Sequence, residues 1–224
     1  MNALKLAILD CDGTLVDSQR SIVSAMTGAF GDNGLQPPEK SEILKVVGLP
    51  LIECIQTLLP NADMARCRAI EEAYRERFRK ERERGVYEPP LYAGTRDFLE
   101  TLHARGVMLA IATGKSRRGL THTIAVHELG PLLVDSRTAD DGPGKPNPDI
   151  VLDLLETWQV PAANACMIGD TTFDVETGVN AGIQSFGVQW GYHTHDALRA
   201  AGASAVVATW DELLAELDAR FPGE

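Results

Sequence analysis

The stretch Lys5-Leu6-Ala7-Ile8-Leu9-Asp10-Cys11-Asp12-Gly13-Thr14-Leu15-Val16-Asp17-Ser18 runs four apolar residues directly into two acids separated by one residue. An unbroken apolar run of this length reads as a strand buried on both faces, as in a parallel sheet. Asp10 and Asp12 then stand at its C-terminal end, where open α/β sheets bind ligands. Strand alternation turns Cys11 away from both acids and into the core.

Two carboxylates about 4 Å apart at an effective dielectric near 20 repel by roughly 4 kcal/mol, or about three pKa units. A proton, a cation or both must therefore intervene. A divalent metal plus one proton divides the labour: ionised Asp10 serves as nucleophile and Asp12 handles the proton. The same residues taken alone also fit a strand ending in an Asp-Gly turn.

The 224 residues, 44% of them hydrophobic, suffice for one large domain or for a core with a smaller insert. A net charge of −11 and a pI near 4.9 argue against nucleic acid or an anionic membrane as partner, so an anionic substrate needs a local positive site. The apolar run before Asp10 is too short for a signal peptide, and no stretch approaches the roughly 20 apolar residues of a membrane span. Cys11, Cys54, Cys67 and Cys166 form no C-x-x-C pair, which disfavours zinc and fits a reduced cytoplasmic setting.

After Ser18 the pattern turns helical. Ile22, Met26, Ala29 and Phe30 share one face, a second helix follows Pro37-Pro38, Gly48-Leu49-Pro50 breaks before Leu51 to Leu59, and a long helix runs from about Asp63 to Arg84. The last carries Glu71/Arg75, Glu76/Lys80, Arg77/Glu81 and Arg79/Glu83 at i,i+4, whose interleaved signs make a solvated face rather than a nucleic-acid patch. Residues 18–86 thus read as an all-helical insert, with Gly85 to Pro90 as the return linker. Residues 1–17 and 87–224 read as an α/β core.

In that core strand and helix alternate as in a doubly wound, mostly parallel, Rossmann-like sheet. Strands are expected at Met108–Ala112, near Leu132–Val134, at Ala165–Ile168, Gln184–Val188 and Ala205–Ala208, with helices over Thr95–Arg105, from Pro148 behind an Asn147 cap, and from Trp210 to about Ala219. Thr113 and the Gly114 amide follow a strand and suit phosphate oxygens, although Thr113 alone fits a helix cap equally well. Gly114-Lys115-Ser116 imitates the end of a nucleotide-binding P-loop but fails, because Leu109 stands where that loop requires glycine. Lys145 precedes a helix N-terminus, a poor place for a cation unless Asp10 or a bound phosphate relieves it. Asp170 and Asp174 project from one side of a first helical turn. With Asp10 nearby, carboxylates of Asp10 and Asp170, a backbone carbonyl, waters and a phosphate oxygen make an octahedral oxygen site suited to magnesium. The five histidines show no metal-ligand or triad spacing.

Asp10-Cys11-Asp12-Gly13-Thr14-Leu15-Val16-Asp17-Ser18 resembles the first motif of the haloacid dehalogenase-like hydrolases, and its Leu-Val-Asp-Ser is similar to the phosphoglycolate phosphatase branch. Thr113-Gly114, Gly144-Lys145-Pro146-Asn147-Pro148-Asp149 and Gly169-Asp170-Thr171-Thr172-Phe173-Asp174 resemble the later motifs, in the family's order. The resemblance implies an aspartyl-phosphate on Asp10, Asp12 as general acid and base, phosphate binding by Thr113, Gly114 and Lys145, and Mg2+ on Asp10, Asp170 and the Asp12 carbonyl with Asp174 behind them. Asp12 favours phosphoryl over halide chemistry, since the dehalogenases proper lack it. It further implies that the helical insert is a cap, whose loop from Lys45 to Pro50 reaches over the substrate. Lys45, Gly48, Leu49, Gln19 and Arg20 are expected to contact the leaving group. The expected activity is magnesium-dependent hydrolysis of a small phosphorylated metabolite, phosphoglycolate by default, by a monomer or homodimer. A phosphomutase or pyrophosphatase shares these motifs. A receiver domain would be half as long, and a non-catalytic binder would not need every catalytic position.

Overall fold

In a computed structural model, which describes residues 3–84 and 88–222 and the backbone alone for 81–84, the chain forms a parallel six-stranded sheet flanked by helices. The strands are β1 (Leu6–Leu9), β2 (Met108–Ala112), β3 (Asp135–Arg137), β4 (Ala165–Gly169), β5 (Gln184–Val188) and β6 (Ala205–Val207), in the order β3-β2-β1-β4-β5-β6. All five pairings are parallel, with Leu6 opposite Met108 on one side and Ala165 on the other.

The apolar run of β1 is continuous because both of its faces are covered. Ala7, Leu9 and then Cys11 join one buried cluster with Phe98, Leu213 and Leu217, while Leu6 and Ile8 join another with Ile150, Val151 and Leu154. The first includes α5 (Thr95–Ala104) and α10 (Trp210–Arg220), and the second α7 (Asp149–Thr157). Cys11 therefore packs in the core, as its parity requires, and all four cysteines are buried and unbridged.

Between β1 and α5 lie α1 (Gln19–Asp32), α2 (Lys40–Lys45), α3 (Leu51–Leu58) and α4 (Met64–Arg84). They close around a third cluster of their own, with Met26, Phe30, Ile43, Ile55 and Ile70 at its centre. Asp63 caps α4 by accepting the Arg66 amide, and residues 85–87 of the expected return linker lie outside the described residues. α6 (Arg117–Val126), α8 (Thr172–Asn180) and α9 (His195–Ala200) complete the layers.

Several local expectations shift. The third strand falls at Asp135–Arg137 because Gly130–Leu132 takes a 3-10 turn around Pro131, whose missing N–H suits a turn better than a ladder. As a half-exposed polar edge strand it carries no apolar run to announce it. α7 starts one residue later than expected, with Pro148 at its cap position, and Asn147 still accepts the Asp149 amide at 2.8 Å. On α4, Glu71/Arg75 and Glu76/Lys80 pair as expected; Arg77 also crosses to Asp32 on α1 and Arg79 also meets Glu76. The side chains of Glu81 and Glu83 lie outside the described residues. Among the described residues no helix is long and apolar enough to cross a membrane.

Candidate active site

The chain leaves β1 toward β2 and β3 on one side and adds β4 to β6 on the other, so the strand order reverses between β1 and β4. The crevice at such a switch point is where doubly wound sheets bind ligands. Asp10 follows β1 and Asp170 follows β4, and the Asp10 amide donates to the Ile168 carbonyl at 2.9 Å across that seam. Thr113 and Gly114 follow β2 at the same edge.

Asp10, Asp170 and Asp174 are all buried, with one carboxylate oxygen of each within 4.8 Å of the others. Lys145, itself 1% exposed, sets its ammonium 2.6 Å from Asp10 Oδ1 and also on Asp174 Oδ1. The other Asp174 oxygen accepts from the Thr171 amide and hydroxyl, so both its oxygens are committed to protein donors. Asp170 accepts from the Thr14 hydroxyl at 2.8 Å and from the Tyr192 amide at 2.8 Å. Gly13 makes room here: its φ of +89° favours glycine, and a Cβ would stand 2.3 Å from an Asp170 oxygen.

One ammonium among three buried carboxylates leaves two negative charges unmatched. Burial accordingly pushes the Asp10 carboxyl up to about 7 against the pull of Lys145, and raises Asp170 well above the carboxylate range with Asp174 and Asp10 adding to it. For Lys145 burial opposes the charge, but Asp10 and Asp174 outweigh it and hold the ammonium above its ordinary value. Hard oxygen donors with a deficit of this size fit a dication such as magnesium.

Asp12 pairs with Lys115, Nζ to Oδ1 at 2.5 Å, and the Lys115 amide donates to Thr113 Oγ1 at 3.3 Å. Asp10, Asp12, Thr113, Gly114 and Lys115 together line the floor of a cavity of about 450 Å³. The loop between α2 and α3 closes over it: a Cβ on Gly114 would stand 3.1 Å from the Gly48 carbonyl oxygen. Thr113 is not a helix cap, since Ser116 caps α6 by accepting the Gly119 amide.

The residues expected at the leaving group divide. Gly48 and Leu49 line the cavity, Gln19 and Arg20 line a separate shallow depression, and Lys45 is not among the lining residues and offers its carbonyl to His193. Lys145 lies behind Asp10 rather than on the cavity wall. Three features escaped the sequence reading. Lys115 looked only like a failed P-loop lysine, and Thr14 lay inside the first motif without a task. The segment 190–193 has no pattern of its own, yet it supplies the Tyr192 amide to Asp170, the Trp190 indole to the Thr14 carbonyl at 3.0 Å and the Tyr192 hydroxyl to Ser18 at 3.0 Å. His193 takes the Thr172 amide on Nδ1, so its Nε2 donates to Lys45, and burial lowers its pKa.

Known proteins resemble this chain in sequence and in fold. The profile of the haloacid dehalogenase-like hydrolases matches residues 7–188. A protein of Dickeya dadantii named probable phosphatase IndB is 32% identical, over 93% of this chain and 91% of its own. A phosphoglycolate phosphatase of Vibrio parahaemolyticus is 29% identical, over 94% and 95%. The crystal structure of a predicted phosphatase from Clostridium acetobutylicum superposes with a TM-score of 0.87 at 25% identity, over 96% of this chain and 99% of that one. The profile covers most of the chain and the relatives that share its length carry phosphatase names, so the chain belongs to the haloacid dehalogenase-like hydrolases, on their phosphoglycolate phosphatase-like branch, and is an enzyme of the phosphatase kind.

Proposed function

We propose that the protein is a magnesium-dependent phosphatase that hydrolyses a small phosphorylated metabolite through an aspartyl-phosphate on Asp10. The observation that carries this reading is the buried Asp10 carboxylate, held by Lys145 beside Asp170 at the floor of a covered cavity. The Asp10 and Asp170 carboxylates and the Asp12 carbonyl would hold magnesium, which would supply charge neutralisation at the phosphoryl group. Every other task belongs to the chain.

Thr113, whose oxygen already accepts the Lys115 amide, keeps its hydroxyl proton to donate to a phosphate oxygen, and the Gly114 amide donates to another. Asp10 attacks phosphorus in line as the ester P–O bond breaks, and Asp12 gives its proton to the departing oxygen. Asp12 then takes a proton from the water that attacks the acyl phosphate, releasing inorganic phosphate and restoring Asp10. Lys145 neutralises part of the charge on Asp10 from behind it, and Asp174 holds Lys145 in place. Lys115 keeps Asp12 aimed at the cavity.

Residues 1–17 and 87–224 form the catalytic core in this reading, and 18–86 a cap that excludes water from the acyl phosphate. Phosphoglycolate, the substrate named for the Vibrio relative, is the first ester to assay. Phosphate release from a panel of phosphate esters, with magnesium and with chelator, tests the proposal. Release that needs magnesium and disappears in Asp10→Asn supports it, and full turnover by Asp10→Asn overturns it.

A further inference from the structure

The four residues Trp190 to His193, between β5 and α9, grip the Asp170 turn on one side and the helical insert on the other. The Tyr192 amide donates to Asp170 Oδ2 at 2.8 Å, and the His193 amide donates to the Asp170 carbonyl at 3.3 Å. Gly191 lies so close that a Cβ there would stand 2.2 Å from Asp170 Oδ2. Trp190 acts at one remove, since its indole holds the Thr14 carbonyl while the Thr14 hydroxyl donates to Asp170 Oδ1. With these donors one to each oxygen, the carboxylate keeps lone pairs for a cation.

On its other side the same segment meets the insert. The Tyr192 ring packs against the cluster that holds Met26 and Phe30, and its hydroxyl lies 3.0 Å from Oγ of Ser18, the buried residue that leads into α1. His193 Nε2 donates to the carbonyl of Lys45, the last residue of α2, at 3.2 Å. Tyr192 therefore carries Asp170 on its main chain and the insert on its side chain. Any residue but proline could supply the amide, but Gly191 before it has no side chain to fix its place, and the Tyr192 ring and hydroxyl do.

We propose that Tyr192 is a positioning residue for the cation site: the seat of its side chain in the insert sets the amide that orients Asp170, so the insert and the metal-binding carboxylate are coupled through one residue. The inference rests on the magnesium-dependent reading above and adds a link between the two parts of the chain. Such coupling is reciprocal, so a seated insert favours the cation and a bound cation favours the seated insert. Trp190 on Thr14 and His193 on the Thr172 amide hold the ends of the segment, so losing the Tyr192 side chain shifts its middle without releasing it.

The test is the magnesium affinity of the full chain, measured by calorimetric titration at pH 7.5 without substrate. Tyr192→Ala should bind magnesium about tenfold more weakly, the usual cost of losing a group that orients a metal ligand. Tyr192→Phe, which keeps the ring packed, and Ser18→Ala break the same hydroxyl pair; each should weaken binding about threefold, and the double variant no further. Leu154→Ala, in the other core cluster, should lower the melting temperature with magnesium affinity unchanged, which separates positioning from plain stability. Magnesium should also slow hydrogen exchange in α1 of the unsubstituted protein more than in Tyr192→Ala. Equal affinity in the unsubstituted protein, Tyr192→Ala and Tyr192→Phe, an equal loss in Leu154→Ala, additive losses in the double variant, or equal slowing of α1 overturns the inference while leaving the phosphatase reading intact. An unsubstituted protein that binds no magnesium overturns both.

Discussion

The ion pairs on α4 and those beneath the cavity use the same kinds of side chain under opposite conditions. On α4, Arg75 and Glu71 meet at 2.8 Å with 45% and 18% of their side chains exposed, whereas Lys145 and Asp174 are fully enclosed. Water screens the first pair, and its Coulomb gain barely exceeds the entropy lost in ordering two long side chains. In the second it can do neither, so each buried charge depends on its partners. Distance alone does not separate the two cases; burial does.

The largest effect expected from this contrast is on turnover. Asp10→Asn keeps the shape of the site but removes the attacking oxygen anion, and should lower kcat by about 10³-fold or more in a phosphate-release assay while circular dichroism stays unchanged. Lys145→Met strands Asp10 and Asp174 in the interior, and chemical denaturation should show a loss of about 3–5 kcal/mol. Ile70→Ala in the centre of the helical insert should cost about 2–5 kcal/mol through its cavity, with the sheet's own residues untouched. Glu71→Ala, by contrast, should move stability by less than about 1 kcal/mol.

Protonation sharpens the comparison. The folded-state pKa of Asp10 is raised from 3.8 to about 7 by burial, so the folded metal-free protein binds this proton more tightly than the unfolded chain does. Stability from that source is full below about pH 4 and is lost as pH rises toward 7; Asp170, also raised, acts in the same direction. Magnesium needs the ionised carboxylates and should compensate where they are costly to bury. Thermal melts with and without magnesium should therefore differ more at pH 7.5 than at pH 5. An equal shift at both pH values would detach the cation from these two acids.

Much of this was legible in the sequence because it was local. Leu6 to Leu9 is apolar without a break since the sheet covers both faces, and the acids after it could only stand at the strand's end. What was not legible depended on distant parts of the chain. Lys115 acquires its meaning from Asp12, about a hundred residues earlier, and no spacing rule connects them. Tyr192 serves Asp170 through its backbone amide, which any residue other than proline could supply. β3 is a polar edge strand, and α9 is six residues long, too short for a periodic signal. Arg77 meets Asp32 on a neighbouring helix, a pairing that no i,i+4 spacing announces.

The most direct measurement is of Asp10 itself during turnover. The enzyme is mixed with a radiolabelled phosphate ester and magnesium, quenched in acid within the first turnover, and digested for peptide mapping. The account predicts a hydroxylamine-labile phosphoryl group on the peptide that contains Asp10, absent in Asp10→Asn and absent when magnesium is chelated. Label on another residue, or steady hydrolysis by an enzyme that never carries label on Asp10, would contradict it.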